Sequence, residues 1–355
     1  MSRSASLGQV SLRSKQPFRL LKETHKKQTI KITEVSLRYP KSWVVAMNPL
    51  AKEMERRTEL WLRKHGVIKD RAGEEKFRKL AVAEYANWSF PHADAERAEV
   101  LTKFLSLWIF YDDVIEEGDD GQQEKIFAAI AGQPETCPEG DCHLRCWWEL
   151  GQAYGRIMSR SWMEFHSRRY AEWVQAVREE SDVSNQFRAS GLYPNAAKHL
   201  ERRVITVGQI PNLDFLEYQM GWELPQYLRD DPDLKALEWH SSEIVAIVND
   251  VFGFSKDQRL RWCNLVACLS QEFQISPQEA FQWVADMHNA RIRTIGILEG
   301  RLLQKYGHDR MLKEWVQGLR HIMYGFARWH AMAPRYNALH NLSAGQQVRI
   351  KIRDY

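Results

Sequence analysis

The sequence predicts an all-α fold, and three observations carry that expectation. Apolar residues recur with helical periodicity through most of the chain beyond residue 45. Alternating strand-like runs with hairpin turns are essentially missing, ITEVSLRY (31–38) being the only short candidate. No internal repeat and no linker rich in Pro, Gly or Ser divides the chain after residue 45. The simplest architecture is therefore a single helical domain of about ten helices, large enough to enclose an apolar pocket between them.

Taken in order, residues 1–44 read as a basic, flexible N-terminal arm. Up to Lys31, its basic residues Arg3, Arg13, Lys15, Arg19, Lys22, Lys26, Lys27 and Lys31 face the single acid Glu23. The domain is expected over 45–345 and a short C-terminal tail over 346–355. NPLAKEMERRTELWLRKHG opens on Asn48 as N-cap, carries Pro49 at the first helical position and stops at Gly66. Further helices are expected at about 75–87, 94–116, 144–177, 213–220, 236–254, 259–270, 277–305 and 309–330.

The bulk properties exclude several classes. Of 355 residues, 44% are hydrophobic and 27% charged, a globular composition and not a disordered one. A net charge of +4 makes no general case for nucleic-acid binding. No apolar run approaches the roughly 18 to 20 residues of an integral membrane span. The odd count of five cysteines, without a secretory signal, predicts reduced thiols and a cytoplasmic setting. The cluster CPEGDCHLRC invites a zinc reading, but it lacks paired C-x2-C spacing and no second cluster follows. Fourteen Trp are many, and such rings are expected to line a core or a cavity. Oligomeric state is not encoded legibly, and a homodimer stays open.

Two acidic stretches stand out. LWIFYDDVIEEGDD (107–120) runs from apolar residues into Asp112 and Asp113, with Glu116 one turn later. Positions 112 and 116 share a helical face, where like charges repel unless a cation lies between them. Hard oxygen ligands of this kind suit Mg²⁺, which shares its remaining positions with water and phosphates. The plain alternative is a helix end meeting solvent. One turn earlier on that face, Trp108 would set an aromatic surface beneath the metals. NDVFGFSKD (249–257) follows the apolar run IVAIV, and Asn249, Gly253 and Asp257 again share one face. Its Lys256 is positioned to reach a phosphate.

Together these segments resemble the metal-binding motifs of bacterial-type class I terpene synthases: DDVIE (112–116) for the aspartate-rich motif and NDVFGFSKD (249–257) for the Asn-type motif. Further signatures match. Arg203 lies 46 residues before Asn249, where the family places a diphosphate sensor. Thr206 then matches the linker position and Val207 the effector position, at a helix break beside Gly208. Arg335-Tyr336 matches the diphosphate-binding pair near the C-terminus, and Trp329 lies six residues before Arg335, where the family often has a cavity aromatic. The resemblance covers roughly residues 45 to 340.

It implies a single-domain class I terpenoid synthase α-bundle around an apolar active-site cavity. Asp112, Asp113, Glu116, Asn249, Asp257 and a water at Gly253 would hold three Mg²⁺ ions. Arg203, Lys256, Arg335 and Tyr336 would bind the diphosphate, while Trp108 and Trp329, with Trp88 and Phe90 less securely placed, would face the carbocation. The reaction implied is ionisation and cyclisation of an acyclic prenyl diphosphate. Farnesyl diphosphate to a sesquiterpene is the first expectation and geranylgeranyl diphosphate the alternative. A chain-elongating prenyltransferase would need a second Asp-rich motif, and a non-catalytic helical binding protein would show decay of the metal site. Two departures bear on that site: Gly253 stands where a Ser or Thr is usual, and Asp257 replaces a longer Glu.

Overall fold

The computed structural model describes residues 34–116, 122–133, 137–138, 140–307, 309–334, 336 and 349–354; the side chains of 113–116 and 349–354 lie outside that description. The chain opens with strand β1 (Glu34–Tyr39), then α1 (Ala51–Lys64), α2 (Arg71–Leu80), α3 (Val82–Ser89) and α4 (Ala95–Glu116). It continues through α5 (Gln123–Ile130), α6 (Cys142–Tyr154), α7 (Arg160–Ser190) and α8 (Ala196–Thr206). The short α9 (Gln209–Leu213), α10 (Phe215–Met220) and α11 (Gln226–Arg229) precede α12 (Pro232–Leu260), α13 (Leu265–Glu272), α14 (Pro277–Tyr306), α15 (Arg310–Met332) and strand β2 (Arg349–Asp354). The all-α class is as expected.

The helices that carry the two acidic motifs are also the ones apolar over most of their circumference. In α4, Leu101, Phe104, Leu105 and Leu107 are at most 1% exposed; in α12 the same holds for every residue from Ile244 to Val248. A helix apolar on all sides sits in the middle of a domain with others around it. Asp231 starts α12, accepting from the Asp233 and Leu234 backbones with Pro232 at the first turn. No helix among the described residues is long and apolar enough to cross a membrane.

Some expected helices divide. The one over 75–87 breaks at Ala81, which adopts a left-handed φ of 48° and separates α2 from α3. The one over 144–177 breaks after Tyr154, and Ser159 caps the new start by accepting from Trp162 N.

The arm and tail boundaries also need correction. Val35, Leu37 and Tyr39, placed in the flexible arm, are fully buried, and β1 pairs in parallel with β2 from the expected tail, Glu34 opposite Arg349 and Tyr39 opposite Asp354. Asn289 of α14 receives Arg38 N at 2.8 Å and donates to Ser36 O at 3.0 Å. One side-chain amide thus satisfies strand groups that an edge would leave open.

Candidate active site

A cleft of about 1120 Å³, counted out to its open mouth, lies between α3, α4, α7, α8, α12 and α15. Asp112, Arg203, Thr206, Val207, Asn249, Lys256, Asp257, Trp108, Trp329 and Tyr336 all line it. Residues up to 251 positions apart in the chain (Tyr85 to Tyr336) thus line one cleft. Arg335 lies outside the described residues, as do the side chains of Asp113 and Glu116.

Arg203 is the hub. Its Nη2 donates to Asn249 Oδ1 at 2.8 Å, its Nε to Asp250 Oδ1 at 3.0 Å, and its Nη1 to Thr206 Oγ1 at 3.0 Å and Glu180 Oε2 at 3.2 Å. Burial works against its charge, but the carboxylates of Glu180, Asp250 and Asp257 raise its pKa above the ordinary value, so it stays a cation. Asp250 is the other pivot: its Oδ2 accepts from His199 Nε2 at 2.9 Å and from Leu265 N at 2.7 Å. Burial alone would raise the Asp250 pKa, yet Arg203 and the His199 hydrogen bond hold it below the ordinary value. Reading the sequence missed Asp250, His199 and Glu180, whose partners lie 23 to 51 residues away.

Asn249 is fixed at both ends of its amide. With Oδ1 facing Arg203, its Nδ2 donates to His330 Nε2 at 3.2 Å, while His330 Nδ1 donates to Phe326 O at 2.9 Å. An amide oxygen has two lone pairs, so one remains for a cation. Asp257 accepts from Asn264 Nδ2 at 2.8 Å. Burial pushes its carboxyl up to about 6, and the charge of Asp250 adds to that rise against Lys256, Asn264 and Arg203. Its Oδ2 lies 3.0 Å from where a Cβ on Gly253 would stand. The carboxylate therefore leans over the glycine, into space a Ser or Thr side chain would share. Lys256 Nζ stands 3.9 Å from Asp257 Oδ1 and 4.5 Å from the centre of the Trp262 ring, at the same wall.

Hard oxygen donors on α4 and α12 facing one cleft fit a Mg²⁺-type cation by their chemistry. The described carboxylates do not suffice alone: among the described residues no group of three or more His, Cys, Asp or Glu is arranged to hold an ion. Asn249 and the side chains of 113 and 116 would complete the set.

The helix break after α8 is held from two directions. Gly208 has φ +72°, and a Cβ there would stand 2.1 Å from Trp108 Cζ2, so only glycine fits. Trp173 Nε1 donates to Thr206 O at 2.9 Å, meeting a carbonyl freed by the break. Thr206 thereby links Arg203, through its hydroxyl, to the break, through its carbonyl. The aromatic wall combines Trp108 with Trp329, whose Nε1 donates to Leu80 O at 2.7 Å, and with Tyr85, Phe326 and Tyr336. Trp88 and Phe90 do not line the cleft: Trp88 packs on Gly325 and Phe90 on Phe215. Tyr85 takes that place, one turn earlier on α3.

Comparison with known proteins identifies the family. Residues 103–294, more than half the chain, match the family described as terpene synthase family 2, C-terminal metal binding. A (+)-T-muurolol synthase of Roseiflexus castenholzii, described as cyclising (2E,6E)-farnesyl diphosphate, is 27% identical over 83% of this chain and 92% of its own. Sesquiterpene synthase 6 of Postia placenta is 25% identical over 73% of this chain and 77% of its own. Among solved structures, 2-methylisoborneol synthase from Streptomyces coelicolor, in complex with Mg²⁺ and 2-fluoroneryl diphosphate, superposes with a TM-score of 0.72. At 18% identity, over 84% of this chain and 98% of that one, this likeness shows the fold. The chain belongs to terpene synthase family 2.

Proposed function

We propose that this terpene synthase ionises farnesyl diphosphate in a Mg²⁺-dependent reaction, cyclises the cation to a sesquiterpene skeleton and releases diphosphate. The observation that carries the reading is Arg203, a buried cation that touches the metal-motif residue Asn249 and the helix-break residue Thr206 at once. The C15 substrate is supported by relatives whose names specify farnesyl diphosphate cyclisation. Neither name mentions geranylgeranyl diphosphate.

The ions, three by resemblance, would be held by Asp112, Asp113 and Glu116 on α4 and by Asn249, Asp257 and a water at Gly253 on α12. Bound there, Mg²⁺ supplies Lewis-acid stabilisation of the departing diphosphate. The chain's own share is distributed around it. Arg203, Lys256 and Arg335 offer charged donors to phosphate oxygens and Tyr336 a neutral one, stabilising charge that grows as the carbon–oxygen bond breaks. A diphosphate drawing on Arg203 competes with Thr206 for the guanidinium. Binding is thus transmitted to Val207 and Gly208 at the break, coupling closure to ionisation. The rings of Trp108 and Trp329 exclude water and favour a cation by about 0.5–2 kcal/mol each in a dry site. A cytoplasmic location is supported by free thiols at all five cysteines. The modest net charge supports a small-molecule partner over nucleic acid, and a homodimer remains compatible with this site.

Incubation with geranyl, farnesyl and geranylgeranyl diphosphate plus Mg²⁺, read by gas chromatography, tests the reading. A cyclic C15 product is expected from farnesyl diphosphate. No product from any of the three, with the protein folded, would overturn it.

A further inference from the structure

Arg203 Nη1 has two partners of different kinds. It donates to Thr206 Oγ1 at 3.0 Å and to Glu180 Oε2 at 3.2 Å. Thr206 belongs to the helix break. Glu180 stands on α7 and lines the cleft together with Ser181 and Ser184 of the same helix, yet the proposed reaction gives it no task. The two carboxylates that Arg203 meets are committed unequally. The Asp250 side chain is 3% exposed and also accepts from His199 Nε2 and Leu265 N. The Glu180 side chain is 20% exposed, and among the described residues its carboxylate bonds to Arg203 alone.

Burial works against the charge of Arg203, and of the carboxylates that offset it Glu180 contributes most. A cation left unpaired in such a site is costly, so a carboxylate here is useful before diphosphate arrives. Afterwards it is a hindrance. A guanidinium Nη carries two hydrogens, and at Nη1 both are already given, one to Thr206 and one to Glu180. A phosphate oxygen drawing on that nitrogen loosens both contacts. Of the two, Glu180 alone is repelled by like charge. Its exposed edge lets water take over its carboxylate as it swings away, whereas Asp250 would be stranded in the interior.

We infer that Glu180 is an exchangeable counter-anion: it holds Arg203 until diphosphate arrives, yields the guanidinium to it, and reclaims it as diphosphate leaves. The inference rests on the synthase reading above. No covalent bond is made or broken in this exchange. Glu180 touches no reacting atom and is a positioning residue that acts through Arg203. Its role has two consequences of opposite sign. The ion pair stabilises the protein without diphosphate, and the stability lost on breaking it is subtracted from diphosphate affinity. Glu180 thus favours release of the product that Arg203 binds.

The test compares the full-length wild type with Glu180→Gln, which keeps the size of the side chain and a neutral acceptor for Arg203 but removes the charge. Thermal unfolding without diphosphate and calorimetric titration of inorganic diphosphate in the presence of Mg²⁺ are read side by side. The variant is expected to have a Tm lower by about 1–4 °C and a Kd for diphosphate lower by about tenfold. Inhibition of farnesyl diphosphate turnover by added diphosphate should tighten by the same factor. The Kd does not depend on what fraction of the variant folds, and Glu180→Ala carries both readouts should the Gln variant not fold. Weaker or unchanged diphosphate binding would overturn the inference, reducing Glu180 to a support of Arg203 or making it a metal ligand. Tighter binding with an unaltered or higher Tm would overturn it as well, because plain repulsion between Glu180 and diphosphate would then suffice. Either result leaves the synthase reading standing. Wild-type protein that turns over no prenyl diphosphate would remove that reading, and the inference with it.

Discussion

On the α8–α12 side of the cleft, every side-chain nitrogen of Arg203 and both carboxylate oxygens of Asp250 have protein partners. On the α3–α15 side, Tyr85, Phe326 and Trp329 present rings packed on one another with centroids 4.9 to 5.6 Å apart. The first arrangement is set before any substrate arrives: Arg203 is already held beside Asn249, and a diphosphate that draws on it acts on its contact with Thr206. The second carries no formal charge and acts by shape and by its ring faces. One cleft thus pairs a preset electrostatic wall with an uncharged aromatic one.

The strongest way to break this picture acts on the preset side. Asp112→Ala removes a carboxylate from the α4 wall, and turnover should fall by at least about a thousandfold with the fold retained. Near-normal rates would take Asp112 out of the metal site. Next comes Asp250→Ala, which strands Arg203 and His199 in the interior. A loss of about 3–5 kcal/mol in urea unfolding is expected. A loss within error would mean the network is looser than its distances indicate. Trp173→Phe should be milder, because it keeps an aromatic ring beside Trp108 while removing the hydrogen bond to Thr206 O and part of the indole's volume. We expect about 1–3 kcal/mol of destabilisation together with a lower kcat and an unchanged KM, since the break is used after binding. A stability change with kcat intact would reduce Trp173 to packing. Gly253→Ser should be smallest. The new Cβ must displace Asp257 Oδ2 by a few tenths of an ångström from a 3.0 Å approach. The Mg²⁺ concentration for half-maximal rate should then stay equal or fall; a rise beyond about tenfold would show that Asp257 cannot yield.

The helix-borne motifs were legible because their geometry is local. Asn249, Gly253 and Asp257 share a face by period alone; Arg203 came instead from the family resemblance, whose 46-residue offset ends in a 2.8 Å contact. The supports of those motifs were not legible. Nothing in the sequence around His199 points to Asp250, and nothing around Trp173 points to Thr206 O, because such pairs are fixed by how α7, α8 and α12 pack. The second strand escaped for another reason, although ITEVSLRY had marked the first. RIKIRD alternates basic and apolar residues, a period of two that signals a strand, but a charged segment at the chain end reads as solvated tail until β1, more than 300 residues earlier, is brought beside it. Tyr85 was missed in favour of its neighbours Trp88 and Phe90, since three aromatics within six residues do not reveal which one faces a cavity.

The most direct test of the preset diphosphate wall is calorimetric titration of inorganic diphosphate into the protein with and without Mg²⁺, for the wild type and for Arg203→Ala. The account predicts binding that requires Mg²⁺ in the wild type and is weakened at least about tenfold in the variant. Binding that ignores both Mg²⁺ and Arg203 would contradict it.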